Sequence, residues 1–160
     1  MNHPEDSQQI QTMKTNKISL LLIAVLGWCL VLAPQTANAS LNGARLAAQN
    51  LFKKLSRDLN LNVRDTYTRG LLRRGQSTTI KTTLHSGNEY YLVAGGCEDA
   101  YDVDIAVFDE NGNLVAQDED EESVAVARVV PKWTGTFFVK VTMYNSTANG
   151  AHFVMQYAWR

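Results

Sequence analysis

Residues 102–109 read DVDIAVFD, and this stretch decides the fold because apolar and polar side chains alternate along it. A period of two residues is that of a β-strand, whose successive side chains point to opposite faces of a sheet. One face of this strand carries Val103, Ile105 and Val107, and the other carries Asp102, Asp104, Ala106 and Phe108. The sequence therefore predicts a strand with one buried face and one acidic face.

Six further stretches show the same alternation or a short apolar run. They are STTIKTTLH (77–85), EYYLVAG (89–95), LVAQ (114–117), SVAVARVV (123–130), TFFVKVTM (136–143) and AHFVMQYA (151–158). Turn signals separate them, including Asn111-Gly112, a dipeptide typical of tight hairpins in which both central residues have positive φ. Seven short strands separated by turns predict a mainly β fold, a jelly-roll-like antiparallel β-sandwich. Its expected core is Val103, Ile105, Val107, Val124, Val126, Phe137, Val139 and Val141.

A helix is predicted before the strands, over about residues 42–59. In ARLAAQNLFKKLSRDL (44–59) apolar residues recur at intervals of three and four, and Lys53, Lys54 and Arg57 fall on the other side. The following residues, up to 70, have no clear period and predict a connector. We expect the helix to pack on the sandwich through Leu51, Phe52 and Leu55. The alternative is a cationic amphipathic helix that binds a partner or a membrane surface.

Charge is unevenly divided along the chain, although its formal net charge is only −1. Residues 40–81 contain nine basic and two acidic residues, a net of +7, whereas residues 82–160 contain four basic and twelve acidic residues, a net of −8. Such asymmetry suggests that the two parts face each other or that one part faces a charged partner. The arginines of the basic part are not interleaved with stacking aromatic residues, so a nucleic-acid partner is not expected.

The N-terminus has the pattern of an export signal. Lys14 and Lys17 precede the uncharged stretch ISLLLIAVLGWCLVLA (18–33), and PQTANAS (34–40) offers small residues for cleavage after Ala39. We therefore expect a signal peptide over 1–39, a helix and connector over 40–70, and a sandwich domain over 71–160 in a periplasmic or extracellular protein. The alternative is a retained membrane anchor, which needs about 20 apolar residues to span a bilayer. Translation starts at Met1 or at Met13.

Cleavage after Ala39 would leave Cys97 as the only cysteine. An exported domain with one thiol has no internal disulfide, so the fold must rest on burial of apolar surface. In VAGGCEDA (93–100) we expect Cys97 to be a small buried residue at a strand end.

The order of the motifs resembles the bacterial pre-peptidase C-terminal domain over about residues 71–159. The shared marks are GNEYYLVAGG, then DVDIAVFDENGNLVAQDED, then VVPKWTGTFFVKV, and finally AHFVMQY. The resemblance implies a jelly-roll module with a non-catalytic accessory or binding role, and some members of the family bind calcium or polymeric substrates. The chain departs from the family's usual setting because a signal and a helix, and no protease domain, precede the module.

The acidic residues suggest a hypothesis for a metal site. An EF-hand is excluded because the flanks are strands and Gly112 comes two positions early. A looser calcium site would use the strand-end carboxylates of Asp102, Asp104, Asp118 and Asp120, since Ca²⁺ accepts six to eight oxygen ligands in flexible geometry. The alternative is a solvated hairpin edge whose charges discourage edge-to-edge strand pairing.

No catalytic residues are expected. His85 and Ser86 lie at a strand end and turn without a G-x-S-x-G elbow, and no phosphate-binding, dinucleotide-binding or paired-cysteine zinc motif occurs. The sequence thus predicts an exported binding or accessory module acting on a protein or polymer surface, with no required cofactor and with calcium as the candidate ligand of the acidic residues. The alternatives are an envelope interaction protein that docks through its cationic helix and a hydrolase that uses paired carboxylates.

Overall fold

The computed structural model describes residues 36–160, with side chains from Leu41 onward. The signal-peptide prediction, including Met13, Lys14 and Lys17, lies outside the described residues apart from its last four positions. Among residues 36–160, no helix combines the length and apolarity that a membrane crossing needs. The elements follow one another as α1 (Thr36–Leu59), β1 (Asn62–Val63), β2 (Thr68–Leu72), β3 (Ser77–Leu84), β4 (Tyr90–Gly96), β5 (Ala100–Phe108), β6 (Leu114–Asp118), β7 (Val124–Val129), β8 (Gly135–Ser146) and β9 (Ala151–Trp159).

Two antiparallel sheets make up the body of the described chain. In sheet A the hydrogen-bonded neighbours are β1-β9-β4-β7, and β2 pairs with β9 on the same side as β1. Sheet B has the order β3-β8-β5-β6. From β2 to β9 successive strands alternate between the two sheets except at the β5–β6 hairpin, and the sheet orders β2-β9-β4-β7 and β3-β8-β5-β6 are those of a jelly roll. The predicted fold class is therefore confirmed, and all seven predicted strands are present.

The core between the sheets contains most of the residues expected there. Six of the eight are buried: Val103, Ile105, Val107, Phe137, Val139 and Val141. The prediction for β7 is wrong, because Val124 and Val126 are only half-buried and lie on the other face of sheet A. The inward side chains of β7 are Ala125, Ala127 and Val129.

The connector prediction is also incomplete, because the residues between the helix and β3 contain two strands. Thr68–Leu72 pairs with β9 over five residues, from Thr68 opposite Met155 to Leu72 opposite Ala151. The shorter Asn62–Val63 pairs with the end of the same strand. The jelly roll therefore begins before residue 71.

The helix covers the outer face of sheet A, as expected from its apolar stripe. Phe52 is only 3% exposed, and Leu51 and Leu55 are half-buried. The helix begins at Thr36 rather than near residue 42 and ends at Leu59 as predicted. Since Arg45, Lys53, Lys54 and Arg57 are exposed, burial of the apolar stripe, and not ion pairing, holds the basic helix on the sandwich.

The hairpin between β5 and β6 differs in detail from the expected turn. Only Gly112 has positive φ, 82°, so the turn is not the mirror-image type that needs two such residues. Asp109 Oδ1 accepts hydrogen bonds from the backbone N–H of Asn111 (2.8 Å) and Asn113 (2.9 Å), and Oδ2 accepts one from Asn113 Nδ2 (2.9 Å). These bonds lower the pKa of Asp109 and fix the hairpin.

Glu89 ties the two ends of neighbouring strands together in sheet A. Its carboxylate binds Arg160 Nε at 2.6 Å and also accepts a hydrogen bond from Arg128. The bonds from Arg160 and Arg128 lower the pKa of Glu89 to about 2. The backbones of Glu89 and Arg160 exchange two further hydrogen bonds, so the start of β4 is fastened to the residue that follows β9.

Candidate functional site

Four carboxylates line one cleft on the outer side of sheet B, which we name the acidic cleft. Asp102 and Asp104 come from β5, and Glu119 and Glu121 come from the loop after β6. Tyr144 of β8 completes the lining, and the cleft has a volume of about 310 Å³. Asp102 and Asp104 are two of the four predicted metal ligands. Glu119 and Glu121 take the place of the other two, Asp118 and Asp120.

Strand alternation and a closing loop create the cleft. Val103 and Ile105 point inward, so Asp102 and Asp104 point outward. The β5–β8 ladder is irregular on both sides of Asp102, and such bulges re-aim side chains. The loop after β6 is held against β5 because the backbone N–H of Val103 donates to the Glu122 carbonyl at 2.8 Å.

Asp102 is the unusual residue of the cleft. Its exposed fraction is only 7%, and its Oδ1 atom is buried without a hydrogen-bond partner. Asn145, its partner in the β5–β8 ladder, also has a buried side-chain oxygen without a partner. Buried polar atoms are nearly always hydrogen-bonded, and leaving one unpaired costs about 1–3 kcal/mol. A buried oxygen of this kind needs a ligand or a donor.

The electrostatics of the cleft disfavour its charged state. Burial raises the pKa of Asp102, and the charge of Glu121 raises it further. Burial also raises the pKa of Asp104, followed by the charges of Asp102, Glu119 and Asp118, while Lys140 acts in the opposite direction. A cation in this cleft would favour the charged forms of both carboxyls.

Asp118 and Asp120, the other two predicted ligands, lie on the opposite side of the loop. Asp118 Oδ2 accepts the backbone N–H of Val126 at 2.7 Å, and Asp118 Oδ1 accepts that of Asp120 at 3.3 Å. Both side chains line a separate surface cleft next to Lys54 of the helix. The charge of Asp118 raises the pKa of Asp104 in the acidic cleft. The carboxylate of Asp118 itself accepts a structural hydrogen bond from the Val126 backbone.

Sequence reasoning missed Glu119 and Glu121, although the signal was present. Continuing the alternation of β6 past Asp118 puts Glu119 and Glu121 on the side of Asp104, because Gln117 pairs with Ala106 and shares its face. Within residues 41–160, no three His, Cys, Asp or Glu side chains already stand in a metal-ligand arrangement. A cation would therefore have to draw the glutamates of the loop inward.

His85 and Ser86 are engaged in a turn. The backbone N–H of His85 donates to Tyr90 Oη at 3.0 Å, and that of Ser86 donates to Thr134 Oγ1 at 3.0 Å. Cys97 is 3% exposed and follows the end of β4, as expected for a small buried residue at a strand end.

Comparison of the chain with protein-family models and with curated proteins found no match. The likeness to the pre-peptidase C-terminal domain therefore rests on the order of motifs along the sequence and stays a prediction.

Proposed function

We propose that the protein is an exported, non-catalytic binding or accessory module of the pre-peptidase C-terminal type, and that a calcium ion in the acidic cleft stabilises its fold. The observation that carries the calcium proposal is Asp102, a 7%-exposed carboxylate that lines a cleft with three more carboxylates and has one buried oxygen without a hydrogen-bond partner. The export pattern of residues 14–40 supports the proposed location.

Calcium is the cation that suits these donors. All the candidate ligand atoms are carboxylate or amide oxygens, and the two glutamates stand on an exposed loop that can adjust. Ca²⁺ takes six to eight oxygens in flexible geometry, whereas Mg²⁺ requires near-ideal octahedral coordination. Two strand carboxylates and two exposed loop carboxylates therefore suit calcium better than magnesium.

The hydrolase alternative has no pair of carboxyls with contrasting pKa shifts to support it. Acid–base chemistry by two carboxyls needs environments that push their pKa values apart, so that one is protonated and the other is ionised. In the acidic cleft burial raises the pKa of both Asp102 and Asp104. Docking through the helix would have to use its charged side, since Phe52 and its neighbours are buried on sheet A.

Calcium is expected to raise the thermal unfolding midpoint. At a concentration a hundredfold above Kd, a ligand of the folded state contributes about 2.7 kcal/mol, which for a domain of this size raises the midpoint by about 10 °C. Unfolding of the purified protein in EDTA and then in millimolar calcium measures the shift. Magnesium at the same concentration should give a smaller one.

Asp102→Asn should change the midpoint in opposite directions in the two buffers. A carboxyl whose pKa is raised by folding destabilises the native state as pH rises from 3.8 through its folded pKa. Without metal at pH 7 the neutral amide should therefore raise the midpoint, and the calcium shift should vanish. Glu110→Gln, an exposed acid outside the cleft, is the control and should keep the full shift. Equal midpoints of the unmodified protein in EDTA and calcium would contradict the proposal.

A further inference from the structure

A basic groove runs along the open side of the sandwich, between edge strand β3 of sheet B and the β1–β2 side of sheet A. Two adjoining clefts of about 700 and 290 Å³ form it. Arg64, Lys81, Thr82 and Tyr157 line both clefts, so the two are continuous. Clefts of this size fall in the range of ligand-binding sites.

Three aromatic side chains line the larger cleft. Tyr90 meets Tyr157 edge to face with ring centroids 6.1 Å apart, and Tyr157 lies 6.3 Å from Trp159. The hydroxyl of Tyr90 accepts hydrogen bonds from the His85 backbone and from Asn88 Nδ2 at 3.1 Å. These contacts fix the rings before any ligand arrives, which lowers the entropy cost of binding.

The groove is positively charged in a chain whose net charge is −1. The Arg64 guanidinium lies 5.0 Å from the centroid of the Tyr157 ring, a cation–π contact that holds it over the groove. Lys81 is exposed on β3 beside it, and no acidic residue lines either cleft. The basic groove therefore attracts anions, whereas the acidic cleft repels them.

We propose that the basic groove binds an acidic glycan, a polymer whose sugar rings carry carboxylates. The half-buried rings of Tyr157 and Trp159 offer apolar surface for the C–H faces of sugar rings, and the buried Tyr90 ring supports Tyr157. Thr82, Thr83 and Asn88 supply hydrogen-bonding groups for hydroxyls, and Arg64 and Lys81 supply partners for carboxylates. This inference rests on the proposed function as a binding module and names the class of its ligand.

An acidic peptide fits the groove less well. A peptide would add to the free edge of β3, the strand that borders the groove. Lys81 stands exposed on that edge, and charged edge residues, lysine above all, discourage strand addition. The groove therefore favours a ligand that binds through rings and carboxylates rather than through a peptide backbone.

Calorimetric titration in calcium-free buffer tests the inference with an oligogalacturonate as the probe, because calcium would bind the carboxylates of the probe itself. Its fully methyl-esterified form has the same sugar rings without the charges, and polyglutamate has the charges without the rings. We expect binding of the oligogalacturonate and at least about tenfold weaker binding of the other two. Failure of the oligogalacturonate to bind, or polyglutamate binding as tightly, would overturn the inference.

Two variants localise the binding. Lys81→Glu reverses an exposed charge in the groove and should weaken oligogalacturonate binding about tenfold. Lys53→Glu makes the same change on the exposed side of the helix and should leave the affinity unchanged. Equal affinities of the two variants would place the binding elsewhere and contradict the inference. If the glycan does not bind but calcium still raises the unfolding midpoint, only this inference fails. If calcium does not raise the midpoint, the proposed calcium role fails.

Discussion

Replacing Gly95 by valine is expected to destabilise the protein by about 3 kcal/mol, because the helix packs directly on this residue. A Cβ built at Gly95 would lie 2.8 Å from the backbone nitrogen of Ala48 and 2.9 Å from the carbonyl oxygen of Ala44. These are backbone atoms, so no side-chain rotation can relieve the overlap. The helix would have to lift from sheet A and expose the apolar stripe around Phe52.

Urea unfolding measures this change, with Thr79→Val as the control. The control puts the same side chain on an exposed strand position, where the effect should stay within about 0.5 kcal/mol. Gly95→Ala adds only the Cβ and should give a smaller loss of the same sign. Unfolding midpoints for Gly95→Val equal to those of the unmodified protein would contradict the contact between α1 and β4.

The second large effect is expected for Phe137→Ala in the core between the sheets. Phe137 is 1% exposed, and truncation of a buried phenylalanine costs about 3–5 kcal/mol. Phe138 is the matched control, since it is adjacent, chemically identical, half-buried and on the outer face of β8. Phe138→Ala should cost clearly less in the same urea titration. Equal losses would mean that the register of β8 is wrong.

The sequence predicted β5 correctly because that strand has one apolar and one polar face. The same reasoning failed for β7, which reads VAVARV. Sheet B covers one face of β7, and the helix partly covers the other, so both faces are buried to some extent. The exposed Arg128 shares the face of Val124 and Val126 and marks it as the outward face, so alternation points to Ala125, Ala127 and Val129 as the inward residues.

The short strands near the helix were missed for a related reason. The stretch TRGLL pairs along β9 and has only one buried side chain, that of Leu72. An edge strand of this kind needs no alternation because its partner supplies the hydrogen bonds. Only its pairing with β9 in the structure shows that this stretch is a strand.

The acidic cleft was half predictable. Asp102 and Asp104 follow from the face of β5, which the sequence shows. The choice between the Asp118–Asp120 pair and the Glu119–Glu121 pair depended on the direction in which the chain leaves β6. Asp118 pairs with the inward-facing Ile105, so alternation continued past it puts Glu119 and Glu121 on the outer face. The hydrogen bond from the Val126 backbone to Asp118 holds this arrangement.

Titration of the protein with calcium, monitored by calorimetry, is the most direct test of the proposed site. We expect one calcium ion to bind per chain of the unmodified protein, no calcium to bind to Asp102→Asn, and unchanged calcium binding to Glu110→Gln. The absence of bound calcium at millimolar free metal, or the same stoichiometry in Asp102→Asn as in the unmodified protein, would contradict it.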